Sequence, residues 1–180
     1  MSDYNANPRT DKFKTIKMKK AINILALVVA IAFCGCQTSI GQARTKLLAN
    51  RQKSKSAPEW KKILTDNAYY IMVEAGTEPP YRNAYHDNHQ KGVYVSAATG
   101  EVLFTSDDKF ESGTGWPSFV KPIDAKKIEV ITDNTDGMTR DEVIEKSTGL
   151  HLGHVFDDGP ANRGGKRYCM NSGALKFVKK

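Results

Sequence analysis

A mainly β fold, two packed antiparallel sheets with short N-terminal helices, is what this 180-residue sequence predicts. Three observations predict it. From residue 92 onward apolar residues recur at every second position, the period of strands with one buried face. Clusters of Gly, Asn, Asp and Pro break that pattern roughly every 8–15 residues, the spacing of short strands joined by turns. No long amphipathic helix intervenes, so antiparallel sheets packed on one another are favoured.

The elements follow in order. Residues 59–64 place Trp60, Ile63 and Leu64 at helical spacing, and Thr65 with Asp66 caps a second short helix running through Val73. Pro79 and Pro80 forbid any continuation of helix. Residues 92–96 and 101–105, with Gly100 between them, read as a hairpin. Residues 128–132 alternate cleanly, and residues 133–137, opening with Asp133 and closing with Gly137, read as the turn that ends them. Residues 141–147, 151–156 and 173–178 are three further strand candidates.

The first 36 residues read as an address rather than as part of the domain. Residues 21–33 form an apolar run with one polar interruption, Asn23. It is shorter than the roughly 20 residues a membrane-spanning helix needs and fits the roughly 7–15 residues of a signal core. Lys17, Lys19 and Lys20 supply the positive region before it, and Met18 reads as a natural start, making residues 1–17 an upstream extension. Gly35 followed by Cys36 resembles a bacterial lipoprotein cleavage box, although Phe33 and Cys34 depart from its usual residues. The expectation is a lipid anchor on Cys36 and a place in the cell envelope facing the periplasm or exterior, with a cleaved, soluble secreted or periplasmic protein as the alternative. Residues 37–56, polar and basic, read as a linker, and residues 57–180 are enough for one compact domain. Beyond residue 36 there remain 21 basic and 18 acidic residues, a net +3. That is an ordinary surface, and with no basic-aromatic patch it gives no support to nucleic-acid binding.

Three motifs carry chemistry. Cys169, the only cysteine outside the N-terminal segment, lies two residues from Arg167 and from Asn171. Strand alternation puts all three on one face, so a thiol, a guanidinium and an amide point together. The nearby cation is expected to lower the thiol pKa and favour the reactive thiolate. His151 and His154 lie three apart; on a regular strand that spacing puts them on opposite faces, a rule that loosens at a bend. Imidazole is the side chain suited to moving protons near neutral pH. Phe156 adds an apolar wall beside them, and Asp157 and Asp158 begin a turn. Gly113, Gly115 and Pro117 make a tight turn that presents Trp116, whose indole face beside a thiol would seat a methyl or thioether group.

Taken in order, these segments resemble the methionine-R-sulfoxide reductase B family, from about Trp60 to Lys176 and most densely from Phe110 to Phe177. The resemblance implies a β-rich domain of two antiparallel sheets and an enzyme that reduces the R epimer of methionine sulfoxide, mainly within oxidised proteins. It implies that Cys169 attacks the sulfoxide sulfur and is left as a sulfenic acid. It implies that His151 and His154 help protonate the departing oxygen, with Asp158 and Asn171 joining through hydrogen bonds or a water. Arg167 would favour the thiolate, and Trp116 with Phe156 would seat the terminal methyl.

Departures from that family pattern are informative. Many members bind a structural zinc through two Cys-x-x-Cys pairs, which here fall on Ser96 and Thr99 and on Glu145 and Thr148. Hydroxyls and one carboxylate cannot replace four thiolates, so no structural metal is expected and the two loops must be held by packing. The position at which a resolving cysteine often sits is Thr114. A one-cysteine enzyme follows, recycled by an external small thiol or thioredoxin-like reductant. Two other classes compete. A metal module on His86, His89, His151 and His154 lacks a completing thiol or patterned carboxylate. A thiol hydrolase using Cys169 and His154 leaves Trp116 and Arg167 without roles.

Overall fold

A computed structural model describes residue 49, residues 51–135 and residues 137–180. The expected signal segment, its acceptor Cys36 and most of the expected linker lie outside the described residues. Among the described residues no helix is long and apolar enough to cross a membrane.

Helix α1 (Ala57–Ile63) starts at Ser56, whose amide donates to the Glu59 carboxylate at 2.8 Å, and Pro58 occupies a first-turn site where no N–H is needed. Helix α2 (Asp66–Met72) is capped by Thr65, whose hydroxyl oxygen accepts from the Ala68 amide at 3.2 Å. Both helices bury one stripe: Trp60 and Leu64 from the first, Ala68, Ile71 and Met72 from the second. Ile63, expected on that stripe, is 52% exposed, because the short helix turns only Trp60 and Leu64 to the core.

Among the described residues nine strands follow: β1 (Gly92–Ser96), β2 (Val102–Thr105), β3 (Lys109–Phe110), β4 (Ser118–Phe119), β5 (Ile128–Asp133), β6 (Arg140–Glu145), β7 (His151–Phe156), β8 (Arg167–Met170) and β9 (Leu175–Lys179). They form a three-stranded sheet, β2-β1-β9, and a six-stranded sheet, β3-β4-β8-β7-β6-β5, with every pairing antiparallel. The expected fold class is therefore the observed one. Aromatic rings stitch the sheets together. Phe119 of β4 stacks on Phe104 of β2 with centroids 4.5 Å apart and meets Tyr94 of β1 edge-on at 5.0 Å. All three rings are fully buried.

Two features of the six-stranded sheet position the site. One cross-strand row runs Phe110, Ser118, Cys169, His154, Glu142, Ile131, each facing its neighbour across an antiparallel pair and so sharing one face. The second feature is a β-bulge. Val143 pairs with Gly153, but Ile144 pairs with His151, leaving Leu152 as an extra residue on β7. The extra residue cancels half a pleat. His151 and His154, expected on opposite faces of a regular strand, come to the same side with ring centroids 5.3 Å apart.

The end of the segment read as linker lies against the domain. The Lys53 amide donates to the Ser147 carbonyl at 2.8 Å, and Arg51 pairs with Glu129 at 2.5 Å.

Candidate active site

Cys169 lies in β8 between β4 and β7, so Ser118 and His154 are its immediate cross-strand neighbours. Its Sγ is 3.9 Å from Thr114 Oγ1, which places the Thr114 loop directly over the thiol. Burial pushes the Cys169 thiol up; Thr114, the Arg167 charge and Ser118 oppose that rise without reversing it. The expected depression of the thiol is thus not found at rest. The flanking cation was legible in the sequence, while the desolvation that outweighs it was not.

Arg167 is nevertheless close to the sulfur, its charge raised in pKa first by Asp158 and also by Cys169. Its Nε and Nη2 donate to the two Asp158 carboxylate oxygens, each at 2.8 Å, and its guanidinium carbon sits 4.3 Å from the Phe156 ring centroid. Asp158 therefore acts on the guanidinium, which holds it below the usual carboxylate range, rather than on the pocket. Its own side chain is 63% exposed.

The pocket over Cys169 is walled by Trp116 and Phe156, with Thr77, His154 and Asn171 on its other sides. Trp116 is held by its indole N–H, which donates to the Glu78 carbonyl at 3.0 Å. The Glu78 amide donates to Asn171 Oδ1 at 3.2 Å, and its carboxylate accepts from the amides of Ser172 and Gly173. Burial raises the Glu78 carboxyl, partly offset by those amides. Glu78 thus ties the tryptophan wall to the turn after Cys169. Sequence reading passed over it, since nothing local distinguishes it from a surface glutamate.

His151 does not line the pocket. It is 1% exposed, and its Nδ1 lies 2.7 Å from the buried Glu142 carboxylate. Its Nε2 faces the Asn171 amide nitrogen at 3.4 Å. Because Asn171 Oδ1 accepts from Glu78, the group facing His151 is the NH2, a donor. His151 Nε2 must then accept, and its proton sits on Nδ1 toward Glu142. Nothing local marked Glu142 for burial, since an acidic residue next to Val143 on a strand ordinarily faces solvent.

The positions where the family pattern would place zinc ligands do come together. Glu145, fully buried, accepts hydrogen bonds from Thr99, from Thr148 at 2.9 Å, and from Ser96. Burial raises its carboxyl despite those three hydroxyls. All the hydroxyls are spent on one carboxylate, and no thiolate is present, so the set does not fit zinc. Nor are the two loops held by packing alone, as expected, because Glu145 bridges them. Among the described residues no group of three His, Cys, Asp or Glu converges on a metal-holding position, His86 and His89 included.

A thiol, the only one among the described residues, with an imidazole and a guanidinium beside it under an aromatic wall, defines a cysteine-centred site in a fold of two antiparallel sheets. The family model for the SelR domain matches residues 64–179. The chain is also similar to the peptide methionine sulfoxide reductase MsrB of Methanosarcina barkeri, 48% identical over 130 residues that cover 72% of this chain and 91% of that protein. The chain belongs to the methionine-R-sulfoxide reductase B family.

Proposed function

We propose that this protein is a peptide-methionine (R)-S-oxide reductase that repairs oxidised proteins through Cys169. The observation that carries the reading is the placement of Cys169 beside His154 at the base of a pocket walled by Trp116 and Phe156. The two rings seat the S-methyl group against apolar faces. Cys169 Sγ attacks the sulfoxide sulfur, His154 protonates the oxygen, and the oxygen transfers to Cys169. Methionine leaves and Cys169 becomes a sulfenic acid, the substrate sulfur gaining the two electrons that the thiol loses. Arg167 steadies the thiolate as it forms, and Asn171, fixed by Glu78 and His151, lines the same cavity. A peptide substrate of racemic methionine sulfoxide with dithiothreitol tests this: consumption should stop at half, and complete consumption or none refutes it.

The enzyme works without a structural metal, since Ser96, Thr99 and Thr148 all donate to Glu145. Metal analysis of purified protein should show well under one zinc per chain, and a chelator should leave the melting temperature unchanged. Stoichiometric zinc that survives dialysis would contradict the prediction.

Recycling is external. Cys169 is the free cysteine of the described domain, and Thr114 holds the position from which a second thiol would resolve the sulfenic acid. A single turnover without reductant should consume one thiol, form no intramolecular disulfide and leave Cys169 open to a dimedone-type label. Recovery of a Cys34–Cys169 or Cys36–Cys169 disulfide would overturn this. A small thiol or thioredoxin-like protein then regenerates the thiol and releases the oxygen as water. The apolar run at residues 21–33 and the Gly35–Cys36 pair support a lipid-anchored envelope location, which mass spectrometry of the native N-terminus decides.

A further inference from the structure

Asp133 stands at the end of β5, where the sequence suggested only the start of a turn, yet its side chain is 10% exposed. Oδ2 meets His154 Nε2 at 3.0 Å and accepts from Arg140 Nη2 at 2.8 Å, while Oδ1 accepts from the Thr135 amide at 2.9 Å and hydroxyl at 2.7 Å. Burial alone would raise this carboxyl. The Thr135 and His154 hydrogen bonds and the Arg140 charge outweigh it and hold Asp133 well below the usual carboxylate range. An ionised carboxylate has no proton to give. The hydrogen between the two residues therefore belongs to His154 Nε2.

Chain register makes this more than a surface pair. Asp133 pairs with Arg140 across β5 and β6, on the same face as the row that carries Glu142, His154 and Cys169. Arg140 and His154 both line the pocket over Cys169. His151 lies beside His154 but has its own carboxylate, Glu142, so the two imidazoles do not share one acceptor. Of these two carboxylate–imidazole pairs beside Cys169, only His154 with Asp133 reaches the pocket.

We propose that Asp133, fixed by Arg140, is a positioning residue for the reduction: it holds the His154 ring with its proton on Nε2 and supports the imidazolium whose Nδ1–H meets the sulfoxide oxygen. The inference rests on the reductase reading and deepens it. A carboxylate behind an imidazole orients the ring, selects its tautomer and stabilises the charge it carries during proton transfer. His154 gives up the Nδ1 proton to the departing oxygen. The imidazole is left neutral with Nε2–H still on Asp133, and it regains a proton from solvent as the next substrate enters.

The test has two arms on the purified full chain. Long-range proton–nitrogen spectra of wild-type protein, with His154 identified by its loss in His154→Asn, should show neutral His154 protonated at Nε2. An Nδ1–H tautomer overturns the proposal, and this arm needs no activity. In the second arm Asp133→Asn should lower kcat about 100-fold, the scale of one general acid, with KM within about threefold. In a His154→Asn background the same change should cost less than about twofold, because a residue that acts through His154 has nothing left to act on. Unchanged kcat, or an equal loss in both backgrounds, overturns it. If wild type fails to reduce methionine-R-sulfoxide, the reductase reading falls, and the tautomer still decides whether Asp133 orients His154.

Discussion

Cys169→Ser is expected to leave a folded protein with less than about a hundredth of wild-type turnover. The reaction needs an atom that can attack sulfur, accept its oxygen and then release that oxygen as water when a second thiol attacks it. A hydroxyl is too weak an acid and too poor a nucleophile toward sulfur to begin, and it has no sulfenic acid to form. The fold should hardly notice. Cys169 is only partly buried, and its neighbours Thr114 and Ser118 are hydroxyl groups that would hydrogen-bond to serine as readily as to a thiol. A stability change of about 1 kcal/mol, the net scale of one hydrogen bond, is the expected limit. Circular dichroism and a melting curve alongside the racemic-substrate assay make the measurement. More than about 1% residual activity in a protein free of wild type would remove Cys169 from the role of nucleophile.

How much of this site was legible before the structure depends on which force decided each feature. The β1–β2 hairpin and strand β7 follow from alternation and glycine placement, which are local, and both formed where expected. The thiol, indole and imidazole were legible because few residue types can do their chemistry. Three things were not. The bulge at Leu152 depends on how β7 meets β6, so nothing within residues 151–156 announces that His151 and His154 will turn to the same side. Asp133 and Glu142 join the site only through sheet register, and an acidic residue ahead of an Asn-Thr turn looks like ordinary turn chemistry. The rise of the Cys169 thiol comes from burial, which a sequence neighbour such as Arg167 does not reveal. The hydroxyl set around Glu145 lies between these extremes. Its members could be named from the family spacing, but their convergence on one carboxylate required the fold.

Gly153→Ala should damage stability and catalysis together, for a reason that lies in the spacing of two strands. Gly153 of β7 faces Met170 of β8, one position along from the His154–Cys169 pair. A methyl group there would sit 2.2 Å from the Cys169 carbonyl oxygen and 2.9 Å from Met170 Cα. Both are backbone atoms in the middle of a six-stranded sheet, so no side chain can swing aside, and β7 and β8 must separate where they carry the imidazole and the thiol. Overpacking of this kind costs about 3 kcal/mol. For a domain of this size that is a fall in melting temperature of roughly 10 °C. The surviving folded protein should also lose most of its kcat, since a shift of about 1 Å between reacting groups is enough to cost about 100-fold. Gly100→Ala is the control. It stands at a φ of +74° with nothing within 4 Å of the added carbon, far from the pocket in the β1–β2 turn. It should lower stability by about 1 kcal/mol through backbone strain and leave kcat as it was. Should Gly153→Ala melt within about 2 °C of wild type with full kcat, β7 and β8 do not need this close approach to bring His154 to Cys169.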